Sequence, residues 1–213
     1  LQGMMRPGTT LGQALDFLHT AAKDSLPQGF DFDFGGQSRQ FMQEGNSLVF
    51  AFFLSIIIIF LVLSAQYESF RDPLIILISV PMSLCGALIP LNLGAASINI
   101  YTQVGLITLI GLISKHGILI VDFANHLQRT KKLSRREAVE EAASIRLRPI
   151  LMTTAAMVFG VLPLLIASGA GAVSRFDIGL VIASGLLIGT AFTLFVVPTM
   201  YTYLATDHTQ DDL

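Results

Sequence analysis

No residue between Glu44 and Glu68 carries a charge, and none does between Asp72 and Lys115. A helix crosses the hydrocarbon of a bilayer in about 20 apolar residues, so the first interval is one membrane span and the second is too long for one. The patch Asn92-Leu-Gly-Ala-Ala-Ser-Ile-Asn99 divides the second interval. Arg148 to Arg175 and Asp177 to Asp207 bracket two further apolar runs. The expected spans are 47–65, 73–91, 100–125, 148–168 and 178–204. With 53% hydrophobic and 13% charged residues and a mean hydropathy of +0.67, a soluble domain could not hide this much apolar surface. The reading is an α-helical membrane protein with five transmembrane helices.

Lysine and arginine set the orientation. Arg129, Lys131, Lys132, Arg135, Arg136, Arg146 and Arg148 crowd the third loop, while the loop after span two has no basic residue and the loop after span four only Arg175. The basic loop, 126–147, is therefore cytoplasmic, and residues 1–45 lie on the opposite side. All four tyrosines, Tyr67, Tyr101, Tyr201 and Tyr203, fall at expected span ends, where a ring with a polar tip suits the interface. Within the basic loop, Ser134 and Glu137 form a capping-box pattern, and Ala138, Val139, Ala142 and Ile145 give residues 134–145 an amphipathic helix along the cytoplasmic face.

The outer segment reads as the α+β end of a soluble domain. Thr9 or Thr10 can cap a helix carrying Leu11, Ala14, Leu15, Leu18, Ala21 and Ala22, and Phe30-Asp-Phe-Asp-Phe34 alternates with the period of a strand. One helix and one strand make no core, so the rest of that domain is expected upstream. The opening Leu-Gln-Gly-Met-Met has neither a basic start nor an apolar leader, which fits part of a longer chain. Cys85, in an apolar run, reads as a small core residue. A net charge of −2 offers nothing to nucleic acid.

Lys115 breaks the pattern, because it sits inside the third span. Depending on the scale, an isolated charge at that depth costs from ~3 to ~10 kcal/mol or more. Ten residues of helix separate it from Asn125, about 15 Å, and a lysine reaches only ~6 Å, so snorkelling falls short. Asp122 is seven residues on and on the same face, about 10 Å nearer the cytoplasm. The lysine side chain leans away from it, toward the helix N-terminus. Glu44, Glu68, Asp72, Asp177 and Asp207 lie at or beyond span ends. Two readings remain: Lys115 is neutral, or its partner lies on another chain or on a missing part of this one. A lysine whose carboxylate partner gains and loses a proton converts proton flow into movement. Gly105, Gly111 and Gly117, with Gly185 and Gly189 in GxxxG spacing, supply faces for close helix packing. Pro81, Pro90, Pro163 and Pro198 can kink their helices. Thr153 and Thr154 can join a polar network or bond back to their own helix, and spacing favours the latter.

The stretch Val104-Gly-Leu-Ile-Thr-Leu-Ile-Gly-Leu-Ile-Ser-Lys-His-Gly-Ile-Leu-Ile-Val-Asp-Phe-Ala-Asn125 resembles the resistance-nodulation-division (RND) multidrug efflux pumps of the acriflavine-resistance type. So do Arg146-Leu-Arg-Pro-Ile-Leu-Met-Thr153, Gly169-Ala-Gly171 and Tyr67-Glu-Ser-Phe70. The resemblance implies membrane helices eight to twelve of such a pump, with residues 1–45 ending a periplasmic porter subdomain, 46–206 forming the membrane domain and 207–213 a cytoplasmic tail. By it Lys115 matches the lysine that pairs with two aspartates of the fourth helix, absent here. Thr153 matches the relay threonine, Arg146 the relay arginine, and Asp122 a position that usually carries a carboxylate. His116 stands where the family often has asparagine. The implied function is export of drugs or other amphiphilic small molecules from a bacterial inner membrane. The driving force is the proton-motive force rather than a bound cofactor, and the homotrimer works with a periplasmic adaptor and an outer-membrane channel. A pump of the same fold exporting metal ions or lipids, or a truncated non-transporting membrane protein, is the alternative.

Overall fold

The structure is a computed structural model and describes residues 9, 11–27 and 29–206. Every element among them is a helix: α1 Leu11–Ser25, α2 Gly36–Tyr67, α3 Arg71–Leu77, α4 Ser79–Asn92, α5 Ile100–Lys131, α6 Arg135–Leu165 and α7 Ala172–Leu204. Five segments are long and apolar enough to cross a membrane: Ser47–Tyr67, Arg71–Asn92, Ile100–Lys131, Arg135–Leu165 and Ala172–Leu204.

Several boundaries differ from the sequence expectation, each for a local reason. The second span is broken at Ile78, because Pro81 has no N–H for the Leu77 carbonyl four residues back, and its ring crowds that turn. The amphipathic segment and the fourth span form one helix, α6, with Pro149 and Pro163 inside it. It starts on the expected capping box, Ser134 with Glu137. A second capping box, Asn99 with Thr102, starts α5. The strand expected at 30–34 is absent: these residues join no ladder, and no strand occurs among the described residues. Asp31 and Asp33 instead accept hydrogen bonds from the next backbone N–H, at Phe32 and Phe34. The proposed cap at Thr10 and the tail 207–213 lie outside the described residues.

α7 is the hub, packed along α4, α5 and α6, whereas α2 touches only α1, α3 and α5. Only 6% of the most apolar window of the α2 span and 11% of that of α6 are buried, against 44% to 50% for the other three. Two glycines explain how closely α7 approaches its neighbours. A Cβ on Gly185 would run into the Leu109 side chain of α5, and one on Gly189 would lie 2.6 Å from Ser83 Cβ and 3.0 Å from its Cα on α4. Gly111 is different, since a Cβ there would meet nothing within 4 Å.

The apolar core runs the length of the bundle. Ile76, Ile120, Val121, Ala124, Ala138, Ile150 and Val197 build one end, while Ala87, Leu109, Val181 and Leu186 build the other. Polar side chains tie the helix ends. Asp72, only 1% exposed, accepts from Asn125 Nδ2 at 2.8 Å. Tyr201 OH donates to Asn125 Oδ1 and accepts from Gln128 Nε2 at 2.8 Å. Tyr201 is thus an interior residue, fully buried, and not part of an interfacial belt; Tyr203, 77% exposed, does face outward. At the other end Asn99 Nδ2 donates to Asp177, also buried. Cys85 is exposed rather than a core residue, since α4 turns its buried positions Ser83, Gly86 and Ala87 toward α5 and α7.

Candidate functional site

α5 has two unlike faces. Leu109, Ile113, His116, Gly117, Ile120 and Ala124 are buried against the other helices. Val104, Thr108, Gly111, Lys115, Asp122, His126 and Arg129 are exposed and recur at steps of three, four or seven residues, so they form one stripe along the helix. A lipid-facing stripe would be apolar; this one carries a lysine and an aspartate within a membrane-spanning helix. Lys115 has no acid within ion-pair distance among the described residues, whose ion pairs include Arg39–Asp33, Lys131–Glu141 and Arg136–Glu140. Its head stands on the open side of the bundle.

The other sequence-predicted residues lie toward the Lys131 end of α5 or behind. Asp122 is exposed and lines a polar cleft of about 340 Å³ with Gln66, Tyr67, Glu68, Asn125, His126 and Arg129. Arg146 of α6 is half-buried, with its guanidinium carbon 4.4 Å from the centre of the Phe123 ring. That is cation–π geometry. Its Nε is buried without a hydrogen-bond partner. Thr153 is half-buried and donates to the Ile150 carbonyl at 3.0 Å. The structure records no hydrogen bond or ion pair joining Lys115, Asp122, Arg146 and Thr153 to one another.

The neighbouring residues are brought together instead. Thr154, buried, also donates to Ile150 O at 2.9 Å, but its oxygen lies 3.2 Å from Thr190 Oγ1 of α7 and 3.5 Å from His116 Nε2. Thr190 Oγ1 is 3.3 Å from His116 Nδ1. Sequence reasoning missed this triangle. The available signal was the phase of His116, which shares its helical face with Leu109, Ile113 and Ile120 and so points inward.

Five helices long and apolar enough to cross a bilayer, one of them with a lysine and an aspartate on its exposed face, define a multi-pass membrane protein. The sequence model of the AcrB/AcrD/AcrF family matches residues 1–205. An uncharacterised transporter of Haemophilus influenzae is 56% identical over 95% of this chain and 20% of its own length. The toluene efflux pump membrane transporter TtgB of Pseudomonas putida is 40% identical over 93% of the chain and 19% of its own length. The multidrug export protein AcrF of Escherichia coli is 37% identical over 94% of the chain and 19% of its own. The chain belongs to the AcrB/AcrD/AcrF family of RND efflux transporters. It spans about a fifth of the length of the relatives it matches.

Proposed function

We propose that this chain is part of a proton-driven efflux transporter of the bacterial inner membrane, exporting drugs or other amphiphilic compounds, with Lys115 in the intramembrane proton relay. The observation that carries the reading is a lysine in a membrane-spanning helix, on an open polar face, with no counter-ion on the described residues. A charge so placed is retained at a cost of several kcal/mol only if something outside this bundle holds it. A carboxylate partner that takes up a proton would release Lys115, and α5 would move with its head.

Asp122, at the cleft near the basic end of α5, and Arg146, leaning on Phe123, are the residues nearest a cytoplasmic route for that proton. Thr153, bonded to its own helix, would join the relay only when α6 shifts. Residues 1–45 would belong to a periplasmic porter domain and 126–147 would face the cytoplasm. The homotrimer, the periplasmic adaptor and the outer-membrane channel belong to the same proposal, drawn from the family.

The test is Lys115→Ala in the full-length pump. Efflux falls to the level of cells without the pump while the amount of protein in the membrane stays unchanged; undiminished export by that variant refutes the relay.

A further inference from the structure

His116 follows Lys115 in the chain but points the other way, about 100° round the helix, and its ring is fully buried. It is the side chain of α5 that touches polar groups of both helices behind it: Nδ1 faces Thr190 Oγ1 of α7 at 3.3 Å, and Nε2 faces Thr154 Oγ1 of α6 at 3.5 Å. The Thr154 hydrogen is committed to the Ile150 carbonyl, which leaves its oxygen an acceptor. Thr190, 3.2 Å from that oxygen, can donate to it or to the ring. The arrangement therefore suits the tautomer in which Nε2–H donates to Thr154 and Nδ1 accepts from Thr190. The charged neighbour that acts on the ring is Lys115 on its own helix; α6 and α7 present it hydroxyls and no acid.

We propose that His116 is a positioning residue for Lys115: hydrogen-bonded between Thr154 and Thr190, it locks α5 to α6 and α7, so that any movement of the lysine head is passed to both helices. The inference rests on the relay reading of Lys115. Adjacent residues on one helix turn share a rigid frame, and no loop intervenes between the charged face and the triangle. A rotation that carries Lys115 along the open face drives the imidazole against two hydroxyls on separate helices. An apolar residue at 116 would fill the space and leave the threonines bonded to each other and to Ile150 O, but would remove their link to α5 and uncouple the movement. Asparagine, with a donor and an acceptor and no titration near neutral pH, would keep the coupling.

The experiment uses the full-length pump with Lys115→Ala, His116→Leu, His116→Asn and Thr190→Val, reading substrate efflux across pH, membrane level and thermal unfolding midpoint. His116→Leu is expected to lower efflux about tenfold or more at wild-type membrane level and midpoint. His116→Asn stays within about twofold with an unchanged pH profile, and Thr190→Val falls between, adding little to His116→Leu in the double variant. Full export by His116→Leu overturns the inference and, with Lys115→Ala inactive, leaves the relay reading standing. A shifted pH profile in His116→Asn overturns it too, because the imidazole is then a proton carrier. Loss of efflux that follows loss of folded protein reduces His116 to packing and overturns it as well. An active Lys115→Ala removes the relay, and this inference with it.

Discussion

Gly189 and Gly111 are the same residue type in two different circumstances. A methyl group at Gly189 would be pressed against the Cα and Cβ of Ser83, and a backbone atom cannot swing aside as a side-chain tip can. Gly189→Ala is therefore expected to destabilise the bundle by about 1–3 kcal/mol, the usual cost of overpacking, read as a lowered unfolding midpoint in detergent. At Gly185 the obstacle is the end of the Leu109 side chain, which has rotamers available, so Gly185→Ala should cost less than Gly189→Ala. Gly111→Ala has open space around it and gains helix propensity of up to about 1 kcal/mol in the chain by itself. An unchanged midpoint in Gly189→Ala would show that α4 and α7 are not packed as closely as described. GxxxG spacing named Gly185 and Gly189 without their neighbours, because spacing gives a face and only tertiary contact gives the obstacle.

At the scale of the elements, charge-free intervals marked the membrane spans because lipid tolerates few charges. They misplaced helix ends, because helices continue beyond the bilayer: α2 starts at Gly36, and α6 runs from Arg135 through Pro149 to Leu165. The same logic put Asp72 at a span end, where it lies, but said nothing of its surroundings. It is buried, and a chain of hydrogen bonds through Asn125 to Tyr201 and Gln128 links α3, α5 and α7. Partners 53 and 76 residues apart are invisible to periodicity. For the same reason the His116, Thr154 and Thr190 triangle was beyond the sequence, though the inward phase of His116 was not. Tyr201→Phe keeps the ring and removes one hydroxyl, so Asn125 Oδ1 loses its donor and Gln128 Nε2 this acceptor. The expected loss is about 1–3 kcal/mol, measured by thermal unfolding, with far-UV circular dichroism of the folded state unchanged. A wild-type midpoint would mean that water or lipid headgroups satisfy these atoms equally well.

For the whole molecule, the open stripe on α5 separates two roles that a lysine in a membrane can have. If Lys115 supports this bundle, removing it weakens the bundle; if it serves a partner outside, removing it relieves the bundle and disables the larger assembly. The geometry favours the second, since no described acid pairs with Lys115 and its head is exposed. Lys115→Leu in this 213-residue chain should therefore insert α5 more favourably by about 3 kcal/mol, the span between the two residue types at a helix centre. A glycosylation-reporter insertion assay on α5 reads that change directly. In the full-length pump the same substitution should abolish export while the protein remains in the membrane. The opposite signs are the point of the comparison, because a structural ion pair within these helices would lower insertion and export together. Poorer insertion of Lys115→Leu in the chain alone would place the partner of Lys115 inside this bundle and remove the need for any further helix against the open face.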